Sequence, residues 1–295
     1  MKILLTGADG QLGQALSASL PAEVELIATA RKQLDLSDPQ SCRSAVHAHR
    51  PDWVLNAGAY TAVDKAESEP EQAMAVNAGA PRAFAEALSV TGGRLLQIST
   101  DFVFNGCQGH PYEPVHSPDP LGVYGATKTA GEQAVDEILG CSDEGRATIL
   151  RTGWVYGPVG QNFLFTMLRL HRLKAEVGES LNVVADQVGC PTSTSGLAAA
   201  CWAVIKLQVM GMQHWSDAGV ASWYDFAVAI GELAAARGLL SKAAQVLPIT
   251  TADFPTQAKR PAYALLASSR TREQLQLRPQ HWRSSLEEVI NRVEA

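Results

Sequence analysis

KILLTGADGQLGQAL, residues 2–16, starts as one kind of element and ends as another. KILLT (2–6) has the length and apolar content of a buried strand, and QLGQALSASL (11–20) has apolar residues at helical spacing. Between them Gly7, Gly10 and Gly13 are spaced G-x-x-G-x-x-G. Glycines at such a turn let the chain bend tightly, let backbone approach a pyrophosphate, and seat the helix close to the strand. The helix start then offers free N–H groups and a positive dipole end to phosphate. A purely structural turn needs the same residues, so three glycines alone are weak evidence. Asp9 fits less well, because its carboxylate repels phosphate unless it turns away to cap a backbone N–H.

The rest of the chain decides the matter by its rhythm. VELIAT (24–29), DWVLNAG (52–58), GRLLQIST (93–100) and RATILRTGWVYG (146–157) read as further strands. DPQSCRSAVHAHR (38–50), with Asp38 as N-cap, the long stretch 69–92, and the segment around Tyr124 read as helices. This alternation predicts an α/β fold: a doubly wound parallel sheet, Rossmann-like, with right-handed crossovers. Residues 1–157 are expected to form the dinucleotide-binding domain, with segments near 193–216 and 244–252 returning to it. Residues 158–295 are expected to form mainly a smaller mixed α/β lobe for substrate, with helices over 162–175 and 222–238. There is no internal repeat and no low-complexity segment.

Composition narrows the class. The 295 residues are 46% hydrophobic and 18% charged, as in globular domains. Net charge is −6 and the sequence pI about 5.7, which argues against nucleic acid or an anionic membrane as partner. Cys42, Cys107, Cys141, Cys190 and Cys201 are odd in number and never at C-x-x-C spacing. A reducing, cytoplasmic setting suits them better than a disulfide framework or a zinc site. MKILLTGADG has too short an apolar run for a signal peptide. GLAAACWAVIKLQVMGM (196–212) is interrupted by Lys206 and Gln208, so a buried helix is expected there rather than a membrane span.

Ligands of such sheets bind at the carboxyl ends of the strands. NAGAYTAVDKAE (56–67) leaves the third strand with small residues beside which a flat cofactor can lie. Ser99, Thr100 and Asp101 leave the fourth, either as a capped turn or as reactive polar groups. Trp154 and Tyr156 leave the fifth, as an aromatic floor or simply as core. Tyr124 and Lys128 follow on a helix, four apart and so on one face, with Gly125, Ala126 and Thr127 between. An ammonium beside a phenol favours phenolate and lowers the tyrosine pKa, which makes it a usable general acid. The same lysine can bond a cofactor ribose, and Thr100 can hold a substrate carbonyl. A chance Y-x-x-x-K on a surface helix is common; its place in this chain raises its weight. The second strand ends in Ala30, Arg31 and Lys32 without a carboxylate. That favours NADPH, with NADH as the alternative, and points Arg31 at the 2′-phosphate.

G7-x-x-G-x-x-G13, the Ser/Thr after the fourth strand and Y124-x-x-x-K128 together resemble the extended short-chain dehydrogenase/reductase family. AVDKAESEPE (62–71), STDFVFNG (99–106), VYGATKTAGE (123–132), RTGWVYG (151–157), NFLFTMLRL (162–170), DQVGCPT (186–192) and KRPAYALL (259–266) are similar to its dTDP-4-dehydrorhamnose reductase branch. The resemblance implies reduction of the C4 ketone of dTDP-4-dehydro-β-L-rhamnose to dTDP-L-rhamnose. It implies Thr100, Tyr124 and Lys128 as catalytic residues. It implies Gly10, Gln11 and Leu12 at the pyrophosphate, Asp35 and Leu36 near the adenine, and Ala59, Tyr60 and Thr61 along the cofactor. It implies Asp101, Phe102 and Trp154 at the sugar, and Arg260 at the nucleotide diphosphate or its neighbourhood. The family usually has tyrosine where this chain has Phe102, so one substrate hydrogen bond is expected to be absent or replaced. Some members bridge a dimer with magnesium through acidic residues on the first helix, where this chain has Ala15. The resemblance therefore disfavours a magnesium-bridged dimer and leaves a homodimer open.

Two other readings compete. A nucleotide-sugar epimerase or dehydratase uses the same scaffold, but a dehydratase needs an acidic pair after the catalytic threonine, and here only Asp101 follows Thr100. A non-catalytic subunit, like the reductase-like regulators of methionine adenosyltransferase, would not need an intact Thr100, Tyr124 and Lys128.

Overall fold

The computed structural model describes residues 1–293; residues 294 and 295, the last two of the expected second lobe, lie outside the described residues. Strands β1 (Lys2–Thr6), β2 (Glu25–Thr29), β3 (Trp53–Asn56), β4 (Arg94–Thr100) and β5 (Ala147–Thr152) come first, then β6 (Val155–Tyr156) and β7 (Leu181–Val184). Strands β8 (Val188–Gly189), β9 (Thr192–Ser193), β10 (Gly211–His214), β11 (Ala221–Ser222) and β12 (Val246–Ile249) follow. Helices α1 (Gln11–Ala18), α2 (Pro39–His49), α3 (Val63–Ala66), α4 (Pro70–Met74), α5 (Ala80–Thr91) and α6 (Val123–Leu139) belong to the first half. Helices α7 (Phe163–Val177), α8 (Thr194–Leu207), α9 (Trp223–Ala236), α10 (Ser269–Gln274) and α11 (Trp282–Ile290) complete the set.

Six strands form one sheet in the order β10-β5-β4-β3-β1-β2, and every neighbouring pair is parallel. Ile3, Leu4 and Leu5, all of β3 and all of β5 are buried, as strands covered on both faces must be. Leu12 and Leu16 of α1 pack with Leu197, Cys201 and Trp202 of α8 on one face. Cys42 and Val46 of α2, Phe84 and Leu88 of α5, and Val135 of α6 cover the other. The chain leaves β1 for β2 on one side and reaches β3 on the other, so a crevice opens at the carboxyl ends of β1 and β3.

Three short two-stranded sheets, β6 with β9, β7 with β12 and β8 with β11, build the smaller lobe. Its core joins Tyr156, Leu164, Phe226 and Leu286. Tyr156 is wholly buried there and is core, not floor. Residues 211–214 supply the sixth strand of the large sheet as β10. The expected return of 244–252 does not occur: β12 pairs with β7 in the smaller lobe. It carries Pro248, whose missing N–H confines such a strand to an edge.

Two other expectations change. The helix read over 69–92 is three pieces, because a π-helical segment, Ala75–Gly79, separates α4 from α5. Pro81 has no N–H to give the Asn77 carbonyl four residues back, so regular α-helix cannot cross that point. The strand read over 146–157 breaks at Trp154, whose φ of 52° is left-handed. The stretch 196–212 ends its helix at Leu207 and enters β10, and among the described residues no helix is long and apolar enough to cross a membrane.

Candidate active site

A cleft of about 660 Å³ lies over the carboxyl ends of β1, β3, β4 and β5. Polar side chains tie those ends together: the Thr6 hydroxyl donates to Asn56 Oδ1 at 2.6 Å, and Asn56 Nδ2 donates to Gln97 Oε1 at 2.7 Å. Thr6 Oγ1 also accepts from the Gly58 N–H at 3.1 Å. These bonds tie the ends of β1, β3 and β4 together under any ligand, while the buried Thr152 hydroxyl at the end of β5 has no partner among the described residues.

The glycine loop forms one end. A Cβ on Gly13 would stand 2.2 Å from the Gly7 carbonyl oxygen and 2.6 Å from the Ala8 Cα, so α1 sits closer to the loop than any other residue allows. Gly10, the N-cap of α1, brings no side chain to the first turn, which leaves its N–H groups facing the cleft. Gly7, Gly10, Gln11, Leu12, Gly13 and Arg31 all line the cleft. A side chamber of about 310 Å³ shares Gly7, Arg31, Gly58 and Ala59 with it and adds Leu34, Asp35, Leu36 and Tyr60. Asp35 is held below its ordinary range, first by the backbone and hydroxyl of Ser37 and in smaller part by Arg31. A narrow glycine cradle, an uncapped helix start, and a chamber with a cation at its mouth fit a dinucleotide carrying an extra phosphate.

The reactive groups stand at the other end. Thr100, Asp101, Phe102, Tyr124, Lys128 and Trp154 all line the same cleft. The Thr100 hydroxyl donates to Asp101 Oδ1 at 3.1 Å and accepts from the Phe102 N–H at 3.2 Å. Phe102 meets the Tyr124 ring edge-on, with centroids 5.6 Å apart. Asp101 is buried, and loss of water pushes its carboxyl up to about 7 against the opposing Thr100 hydroxyl. Tyr124 departs from the sequence expectation. Burial pushes its phenol up to about 12, the Thr100 hydroxyl opposes the rise, and the Asp101 charge adds to it. The Lys128 ammonium does not lower it, because that group turns to the Ile98 carbonyl at 2.7 Å. Burial lowers Lys128 itself to about 8, with the Glu132 carboxylate opposing.

Ala59 and Thr61 line the main cleft, and Ala59 and Tyr60 the side chamber. Arg260 lines neither. Its guanidinium is taken by Asp64, Nη2 to Oδ2 at 2.7 Å and Nη1 to Oδ1 at 3.1 Å. Arg260 is thus tied by an ion pair to Asp64 of α3.

Sequence reasoning missed several contributors. Ile98, Thr152, Gly153 and Gln161 also line the cleft. Glu67 caps α6 from a distance, accepting the Val123 N–H at 2.9 Å. Asn77, in the π-helical segment, accepts the Tyr60 N–H at 2.9 Å and donates to both the Tyr60 carbonyl and Thr127 Oγ1 at 3.1 Å. It thereby fixes the cofactor-side loop to the helix that carries Tyr124. The only sequence signals were a glutamate in 62–71 and an Asn followed by Gly and Pro, neither of which names its partner.

The whole chain, residues 1–295, matches the family model described as RmlD substrate binding domain. It is 41% identical to the spore coat polysaccharide biosynthesis protein SpsK of Bacillus subtilis strain 168, over 98% of this chain and 96% of that one. It is also 41% identical to a dTDP-4-dehydrorhamnose reductase of Streptomyces griseus, over 97% and 91% of the two chains. Among solved structures, dTDP-4-dehydrorhamnose reductase from Bacillus anthracis in complex with NADP superposes with a TM-score of 0.89 at 35% identity, covering 98% of each chain.

Proposed function

Because the chain belongs to the dTDP-4-dehydrorhamnose reductase family, we propose that it reduces the C4 ketone of dTDP-4-dehydro-β-L-rhamnose to dTDP-L-rhamnose with NADPH. The observation that carries the reading is that Thr100, Tyr124 and Lys128 meet in the cleft into which the glycine loop opens. Gly10, Gln11, Leu12 and the α1 start hold the pyrophosphate, Arg31 takes the 2′-phosphate, and Asp35 and Leu36 flank the adenine. The nicotinamide, when bound, supplies the hydride for C4. Thr100 orients the ketone. Tyr124, protonated at neutral pH with its phenol at about 12, gives its proton to the oxygen as that oxygen becomes an alkoxide. Lys128, one turn on along the same helix face and anchored by the Ile98 carbonyl, holds the cofactor ribose. Asp101, Phe102 and Trp154 line the sugar, with Phe102 presenting a ring edge where a hydroxyl would have offered a hydrogen bond.

The test follows NADPH oxidation with 4-keto-6-deoxy sugars on dTDP, UDP and GDP. Fast turnover confined to the dTDP sugar supports the reading. A protein purified with tightly held oxidised cofactor, and active without added reductant, is an epimerase instead. No turnover with any sugar nucleotide favours a binding subunit.

A further inference from the structure

We propose that Glu132, clamped between Ser99 and Arg151, is a positioning residue that holds Thr100 and Lys128 in fixed relation across the seam between β4 and α6. The inference rests on the reading of Thr100, Tyr124 and Lys128 given above. Three consecutive residues of β4 face α6 and the cleft. The Ile98 carbonyl accepts from Lys128 Nζ at 2.7 Å. The Ser99 hydroxyl donates to Glu132 Oε1 at 2.5 Å. Thr100 then lines the cleft beside Tyr124. Glu132 lies one turn beyond Lys128 on α6, so strand and helix are pinned at two successive points just before the reacting residue.

The third anchor comes from β5. Arg151 grips Glu132 with two prongs, Nε to Oε1 at 3.0 Å and Nη2 to Oε2 at 2.7 Å. Ser99 and Arg151 are partners across the parallel ladder, and the next pair is Thr100 with Thr152, both at the cleft. Arg151 also lies over the Phe104 ring at 5.1 Å. Glu132 is 4% exposed and Arg151 2%. A buried ion pair of this kind is weak evidence for stability, since apolar residues of equal volume often serve as well. What it does supply is fixed geometry among three elements, each of which carries a cleft residue.

The pair has an electrical consequence at Lys128. Glu132 on its own helix favours the ammonium, and the burial of Lys128 disfavours it. Asp101 after β4 and Arg151 from β5 are the other charged groups on this side. Beyond Arg151 stand His214, held neutral by burial at about 3, and the Cys141 thiol, raised by burial, with Asp136 next to it. Removing the Glu132 charge leaves Lys128 to lose its proton at lower pH.

The experiment compares Glu132→Gln, the double variant Glu132→Gln/Arg151→Met and Ser99→Ala with the native chain. Both variants lacking the Glu132 charge should lose about tenfold or more in kcat, with KM changed less than about threefold, the split expected when only positioning at the reacting centre is lost. The upper pH limb in kcat of Glu132→Gln should move down by about half a unit or more, and that of the double variant, which loses the Arg151 cation as well, should move down by less. Ser99→Ala, which keeps the charges, should lower kcat a few-fold without moving the limb. Carbon-13 signals of the lysine ε-carbons, with Lys128→Met for assignment, should show Lys128 titrating lower in the charge-free variants. If Glu132→Gln does not fold, the double variant and Ser99→Ala carry the test. A folded double variant with native kcat, native limb and native Lys128 titration overturns the proposal. A native chain inactive on every sugar nucleotide overturns the functional reading instead, and the lysine titration still decides the role of Glu132.

Discussion

Tyr124 is the residue on which the chemistry turns, and its substitution is the sharpest probe. Tyr124→Phe removes the proton donor and leaves the ring that packs on Phe102. Steady-state assays should show kcat lower by about 10²–10⁴, the usual worth of a general acid, with KM little changed. Loss smaller than about tenfold removes Tyr124 from that role. Asp101 makes a different prediction. Its carboxyl, 3.8 ordinarily, is lifted to about 7 by burial, so the folded state prefers it protonated. Its contribution is whole below 3.8 and is lost as pH rises through about 7. Thermal unfolding of Asp101→Asn, which mimics the protonated acid, should therefore gain on the native chain as pH climbs through that window. Asp217, raised to about 6, acts alike in both proteins and drops out of the difference. Arg31→Asp tests the cofactor. A screened charge-assisted hydrogen bond is worth roughly 1.5 kcal/mol, or about tenfold in kcat/KM for NADPH over NADH. The variant should reverse that order, and an unchanged ratio would show that Arg31 does not meet the 2′-phosphate. Thr100, Tyr124 and Lys128 were legible because spacing and place in the chain mark them. Asn77 and Glu67 were not, because their partners lie 17 to 56 residues away and no local pattern joins them.

Helix α6 shows how an element delivers such residues. It has no side-chain cap of its own, and Glu67 supplies one from a separate segment. Its first turn presses on the loop after β4: a Cβ on Gly125 would stand 2.2 Å from the Phe102 carbonyl oxygen and 2.8 Å from the Pro120 Cβ. Alanine is the better helix former by about 1 kcal/mol, but backbone cannot yield to it as a flexible side chain would. Gly125→Ala should lower Tm by a few degrees in a melting experiment and reduce kcat together with it. A more stable, fully active variant would show that the loop gives way freely. Five of the six sheet strands and this helix were readable from apolar runs and turn residues; β10 began inside a stretch read as helix. The partner of β12 was not, since it follows from contact with a distant segment, whereas the π-helical break at 75–79 has a local cause in Pro81 that the apolar periodicity of 69–92 masked.

At the scale of the molecule, several polar links cross from the large sheet to the smaller lobe, two of them at the cleft end. Gln11 in the glycine loop accepts from Asn162 Nδ2, the N-cap of α7, at 2.7 Å. Asp64 on α3 holds Arg260. The Asp64–Arg260 pair is partly exposed, so it adds about 1 kcal/mol or less to stability and weakens with salt. Its effect should appear instead in substrate capture. Asp64→Asn and Arg260→Gln should each raise KM, and the double variant should be no worse than the worse single, the mark of a coupled pair. Additive effects would mean that Arg260 meets the substrate independently of Asp64. Among the described residues no group of three or more His, Cys, Asp or Glu side chains could hold a metal. The rhythm of strand and helix changes after residue 157, but no sequence pattern announces which side chains link the segments before and after it.

Trp154 bends its backbone into the left-handed region and lays its indole on that of Trp223, the ring centres 3.6 Å apart and the planes within 6°. Two chromophores that close share their excited state. The wall of the cleft is thus an optical reporter already built into the chain, with four further tryptophans as background. Ultraviolet emission that changes on adding cofactor, and changes less in Trp223→Phe, would read occupancy in real time without a label.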